Sequence, residues 1–169
     1  SERIHQMIDP ERSIQQAVAD YKKLGYSDKW IANRVKSIDA RNELTNEWKR
    51  SGMTEGLAFA LLPDLITKTW SGKTTKEYKQ FKGLTKENLR DNMSTIELAL
   101  NTLAEASTTE ISKRRNPKTM KQNMQIAKEG GNVAKAARLQ LETTIGESVV
   151  TSVKASDYIR PIEEYSENE

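Results

Sequence analysis

Along nearly the whole chain, apolar residues recur every three or four positions, the interval at which side chains line one face of an α-helix. Asp9-Pro10 predicts a helix start. The Asp side chain can accept from free first-turn amides, and proline lacks only an amide that would go unbonded there. Ile14, Ala17, Val18, Tyr21 and Leu24 then define one amphipathic helix closed by Gly25. Ser27 opens a longer helix, ended by Gly52, whose apolar positions are Trp30, Ile31, Val35, Ile38, Leu44 and Trp48. Its two tryptophans read as core anchors, and Lys29, Arg34, Lys36, Arg41 and Lys49 as its solvated face.

Thr54 is the expected cap of a third helix, carrying Leu57, Phe59, Leu61, Leu62, Leu65 and Ile66, with Pro63 either starting or kinking it. Two capping boxes follow, in which a hydroxyl and a carboxylate satisfy each other's backbone amides. Thr74 to Glu77 opens a brief helix with Tyr78 and Phe81, ending at Gly83; Ser94 to Glu97 launches a long one through Ile96, Leu100, Leu103 and Ile111. Residues 85–92 read as a short helical turn between them. Ser107, Thr108 and Thr109 make the long helix polar late in its course, so its last turns are expected to be exposed or to meet a partner. Asn116-Pro117 ends it. Residues 118–144 are helical in composition, but Gly130-Gly131 costs roughly 2 kcal/mol of helix propensity and leaves a kink or break open. Val149, Val150 and Val153 suggest an extended arm or isolated strand.

These elements make an all-α protein, a bundle of about five or six helices with a long C-terminal helix, which projects or pairs between subunits, and a short extended C-terminal arm. Residues 1–112 form the compact domain, 113–160 the long helix and arm, and 161–169 an acidic flexible tail. The 169 residues suffice for a core, and 36% hydrophobic against 30% charged residues is a polar but folded composition. No run approaches a membrane span, and the absence of cysteine excludes disulfides and thiolate chemistry and fits a reducing compartment such as bacterial cytoplasm. The abrupt start, without an initiator methionine, suggests the C-terminal fragment of a longer protein.

Net charge is +3, but the tail holds Glu163, Glu164, Glu167 and Glu169. Setting those four aside leaves 27 basic residues against 20 acidic ones, an excess of seven that fits either a polyanionic partner or a well-solvated helical surface. The basic residues concentrate in one window. Lys73, Lys76, Lys79, Lys82, Lys86 and Arg90, with Tyr78 and Phe81 among them, suit the backbone and bases of nucleic acid, single- or double-stranded. Arg114 and Arg115 form a second group before the last helix. Lysines at such spacing also mark a solvated helix face. Met120, Met124, Ala127, Ala134 and Ala137 form a small-residue stripe suited to another helix, including one from a second copy.

Catalytic chemistry finds little purchase. His5 is the single histidine, so no histidine triad or histidine-pair metal site can be assembled. Gly72-Lys73-Thr74 invites a phosphate-loop reading, but position 67 is threonine where that motif needs glycine. No catalytic, cofactor or metal residue is assigned, and no small-molecule substrate is expected.

Six blocks together resemble one family: residues 24–34 (Leu-Gly-Tyr-Ser-Asp-Lys-Trp-Ile-Ala-Asn-Arg), 42–48 (Asn-Glu-Leu-Thr-Asn-Glu-Trp), 70–79 (Trp-Ser-Gly-Lys-Thr-Thr-Lys-Glu-Tyr-Lys), 82–84 (Lys-Gly-Leu), 89–98 (Leu-Arg-Asp-Asn-Met-Ser-Thr-Ile-Glu-Leu) and 103–112 (Leu-Ala-Glu-Ala-Ser-Thr-Thr-Glu-Ile-Ser). The chain is similar, over residues 9–158, to the C-terminal region of the DNA-damage-inducible protein D (DinD) and BRO-type phage antirepressor-like proteins. The resemblance implies an N-terminal BRO-like domain upstream and a non-enzymatic role in the DNA-damage (SOS) response, with DNA or a RecA-type filament as partner, or in prophage regulation. The alternative is an oligomerisation and protein-docking domain without direct DNA contact.

Overall fold

The computed structural model describes residues 10–54 and 56–159. Among them are seven helices and no strand: α1 (Pro10–Leu24), α2 (Asp28–Arg50), α3 (Leu57–Ser71), α4 (Thr75–Phe81), α5 (Thr95–Arg115), α6 (Met120–Ile145) and α7 (Ala155–Tyr158), with a 3₁₀ turn at Arg90–Asn92. The all-α expectation holds. Expectations for Asp9, His5 and the acidic tail fall outside the described residues.

Helix boundaries follow the local chemistry. Ser27 caps α2, its hydroxyl accepting from the Trp30 amide at 3.1 Å. Both expected capping boxes are present at α4 and α5, and a third, Thr119 with Gln122, opens α6. Asn116 ends α5 in the left-handed conformation, φ 51°, and Pro117 follows. Two boundaries differ from expectation. The cap of α3 is Gly56, not Thr54, because the chain turns there at φ 95°, ψ −112°, a conformation closed to residues with a Cβ. Pro63 lies within α3, which begins one and a half turns earlier.

α5 is the middle of the bundle. It packs against α2 on one side and α6 on the other, and α6 packs in turn against α3. The long helix therefore lies against the rest of the chain, not projecting from it, and is continuous from Met120 to Ile145. Its double glycine explains why. A Cβ on Gly130 would stand 1.9 Å from Thr108 Oγ1 and 2.7 Å from the Thr108 amide nitrogen of α5. One on Gly131 would stand 2.7 Å from Thr69 Cβ of α3. At this level α6 touches both neighbours almost backbone to backbone, and packing offsets the weak propensity.

Trp48, Trp70, Tyr78, Leu44, Leu62 and Leu98 fill the apolar core. Much of the remaining interior is polar. On α5 the expected apolar stripe is partly outside, with Ile96 39% and Leu103 38% exposed. The inward stripe includes Glu97, Asn101, Glu105, Thr108, Thr109 and Ser112, so of the late hydroxyls expected to be exposed or to meet a partner, Thr108 and Thr109 are buried within the chain's own bundle and Ser107 is half-buried. After α6 the chain forms no strand. Residues 147–154 form an irregular strap with Val149 and Val150 buried and the Val153 carbonyl accepting from Lys82, and α7 follows it.

Candidate functional site

The brief helix α4 divides the basic window in two. Its capping box fixes the direction of entry, and Tyr78 and Lys82, four residues apart, then share the inward face. Lys82 is 2% exposed. Its Nζ donates to Glu97 Oε1 at 3.0 Å and to the Val153 carbonyl at 2.5 Å, and it lies 5.6 Å from the Tyr78 ring centre. Tyr78 Oη donates to the other Glu97 oxygen. Burial, then the Glu97 charge, pushes the Tyr78 phenol far above its ordinary range. Lys82 and Tyr78 are thus core groups, and the expectation that they meet phosphate and base is corrected. A lysine with its stem and ammonium both inside the bundle has no surface to offer.

Lys73, Lys76, Lys79 and Lys86 lie at the surface or partly exposed. Lys73 Nζ sits 4.3 Å from the centre of the exposed Phe81 ring. Gly72 closes α3 with φ 84°, and Thr74 caps α4, so Gly72-Lys73-Thr74 is a helix-to-helix corner.

Arg90 belongs to a different setting. The 3₁₀ turn carries it inward, where its Nη1 donates to the Ser37 carbonyl of α2 at 3.1 Å. Two further arginines from α2, which the sequence pattern assigned to a solvated face, converge on the same region. Arg34 is buried, its Nε donating to Asp91 Oδ1 at 2.9 Å and its Nη1 to Ser37 Oγ at 2.9 Å. Arg41 Nε donates to both oxygens of buried Glu105, at 2.6 and 3.0 Å. Burial, with repulsion from Arg41 and Arg34, holds Arg90 down to about 10, still protonated at neutral pH. Three guanidiniums here face two carboxylates.

Arg41 and Arg90 line a cavity of about 860 Å³ between α3, α4 and the loop leading to α5. Lys76 and Lys79 line it from α4. Its one lining carboxylate, Asp64, already accepts from the Thr75 amide at 2.7 Å. Phe59, Pro63, Leu84, Leu89 and Met93 supply an apolar part. The concave surface of the described residues thus gathers cations, an arrangement that can hold an anion. Sequence reasoning missed Arg34 and Arg41. The signal was their seven-residue spacing with Ser37 between, one inward stripe on α2.

The remaining expected residues scatter. Arg114 pairs with Glu110 at 2.6 Å and Arg115 with Glu129, on the exposed end of α5. Ala127 and Ala134 are fully covered by the chain's own helices, Met120 is half-buried, and Met124 and Ala137 are exposed. The proposed stripe therefore divides between the bundle interior and the surface. Among the described residues, no group of three or more acidic or histidine side chains could hold a metal ion, and no helix is long and apolar enough to cross a membrane. Comparison with protein-family models, curated proteins and solved structures finds no match for this chain.

Proposed function

We propose that this chain is a non-enzymatic regulator that binds DNA, or a protein filament assembled on DNA, in the bacterial cytoplasm. The observation that carries the reading is the run of accessible lysines at Lys73, Lys76, Lys79 and Lys86, two of which line a cavity backed by Arg41 and Arg90. A strand laid across such a surface meets several ammonium groups in succession, and each phosphate neutralised releases counterions. The resemblance to DinD and BRO-type antirepressors supports a place in the DNA-damage response or in prophage regulation.

The test is binding to fluorescent single- and double-stranded DNA across a salt series. The comparison protein carries Lys73→Gln, Lys76→Gln, Lys79→Gln and Lys86→Gln together. Wild-type affinity should fall steeply with salt, and the logarithmic slope of the quadruple variant should be flatter by about three. Equal slopes, or no binding at low salt, would remove DNA contact from the reading.

A second reading, docking of protein or of another copy of the chain, is favoured by a separate observation: Leu57 and Leu61, one turn apart on α3, are 71% and 45% exposed. Sedimentation of the wild type and of Leu57→Ser/Leu61→Ser distinguishes it. An oligomer that dissolves in the variant supports docking, and a monomer in both sinks self-association through this face.

A further inference from the structure

The cavity has a chemistry that a lysine rim alone does not explain. Its cations come from three places: Lys76 and Lys79 from α4, Arg41 from α2, and Arg90 from the 3₁₀ turn. Arg41 is engaged through Nε with Glu105, and Arg90 through Nη1 with a neutral carbonyl. Asp64 is tied to an amide. With Arg34 paired to Asp91 and Arg41 to Glu105, the half-buried Arg90 guanidinium is the third cation of the group, bonded to a carbonyl and not to a carboxylate, an excess of one positive charge that an incoming anion relieves. The opposite character is present in the same space. Phe59, Pro63, Leu84 and Met93 offer an apolar wall, and Gln80 and Asn88 also line the space. The volume, about 860 Å³, is within the range of small-ligand pockets.

An anion with an apolar or ring-bearing body matches both halves. With Arg41 already balanced by Glu105, Arg90, Lys76 and Lys79 stand against Asp64, an excess of two positive charges that one carboxylate ligand would not balance, whereas a phosphate monoester carries about −1.5 to −2 at neutral pH. Guanidinium and phosphate also match in planar, forked hydrogen-bonding geometry. We infer that this cavity binds a phosphate monoester of nucleotide size, its phosphate held by Arg90 and Arg41 with Lys76 and Lys79 at the edge, and its ring against Phe59 and Met93. The ester is either a free nucleotide or the phosphorylated end of a strand. The inference stands on the cavity and not on DNA lying across the lysines.

The experiment is isothermal titration of the whole chain with the four deoxynucleoside 5′-monophosphates, with deoxyadenosine and with inorganic phosphate. Two variants accompany it. Arg90→Gln removes the guanidinium, and Ala60→Trp fills the cavity from an exposed wall position without changing charge. At least one monophosphate should bind the wild type more tightly than either deoxyadenosine or inorganic phosphate. Both variants should weaken it by about tenfold or more, the scale of a lost hydrogen bond to a charged group. Circular dichroism checks that each is folded, and Ala60→Trp carries the test if Arg90→Gln is not. Absence of binding by all four monophosphates, binding of inorganic phosphate as tight as theirs, or indifference to Ala60→Trp would each overturn the inference. A 5′-phosphorylated oligonucleotide compared with its unphosphorylated twin separates the two sources. Lys73→Gln/Lys86→Gln changes only lysines that do not line the cavity, so loss of strand binding there with monophosphate binding retained separates this site from the surface reading.

Discussion

Single residues in this protein are decided by whether a charge finds company inside the bundle. Lys82 and Glu97 are both enclosed, 3.0 Å apart, with Tyr78 and the Val153 carbonyl completing their hydrogen bonds. Lys82→Met leaves a carboxylate buried without its cation and should cost about 3–5 kcal/mol in urea unfolding. Adding Glu97→Gln, which keeps an oxygen for the Ser94 amide, should recover part of that loss. A Lys82→Met protein as stable as wild type would show that the pair is not a desolvated one. From sequence alone Lys82 was indistinguishable from Lys79 or Lys86, since a regular spacing of lysines does not record which of them turns inward. The tryptophans were legible for the opposite reason. An indole is too large and apolar to be left outside by preference, and Trp30 and Trp48 are both buried.

At the scale of the helix, starts and stops were readable because they depend on a few adjacent residues. Ser27, the two capping boxes and Asn116-Pro117 all stand where their side-chain chemistry requires. Faces were less readable. α5 buries Glu97, Asn101, Glu105 and Ser112 because other segments bring partners to them: Lys82 just past α4, Trp70 on α3, and Arg41 and Glu47 on α2. No period within α5 encodes those partners, and the hydrophobic pattern pointed to Ile96 and Leu103 instead. The double glycine of α6 was ambiguous on the same ground, since propensity records the cost of glycine but not the neighbour it admits. Gly130→Ala makes the point measurable. The methyl would overlap Thr108 backbone atoms at 2.7 and 2.8 Å, which no rotamer change relieves. Although alanine is the better helix former by about 1 kcal/mol, the substitution should lower stability by roughly 2 kcal/mol in thermal or urea unfolding. A stabilised Gly130→Ala protein would mean that α6 stands further from α5 than described.

Across the whole molecule, the buried charges give the fold a direction of response to acid. The Arg50 guanidinium, 2.5 Å away, and then the Ser112 hydroxyl hold the Glu47 carboxyl below its ordinary range, while surface glutamates at positions 77, 110 and 129 are lowered by the Thr74 amide, Arg114 and Arg115. In acid the unfolded chain therefore binds more protons than the folded one. Stability should be fully present above the ordinary glutamate value of about 4.3, and should be lost as pH falls from there through the lower native values. Urea midpoints between pH 7 and pH 3 test this, with Glu47→Gln expected to flatten the decline; a midpoint that rose on acidification would contradict it. The strap that closes the molecule has its own consequence. Tyr158 Oη donates to the Met93 carbonyl, the Ala155 amide to Asn92 Oδ1, and Lys82 to Val153, so the last described residues are fastened to the segment that holds Arg90 over the cavity. Tyr158→Phe would slacken that tether, making the stretch from Val153 to Tyr158 a handle on a recess it does not line.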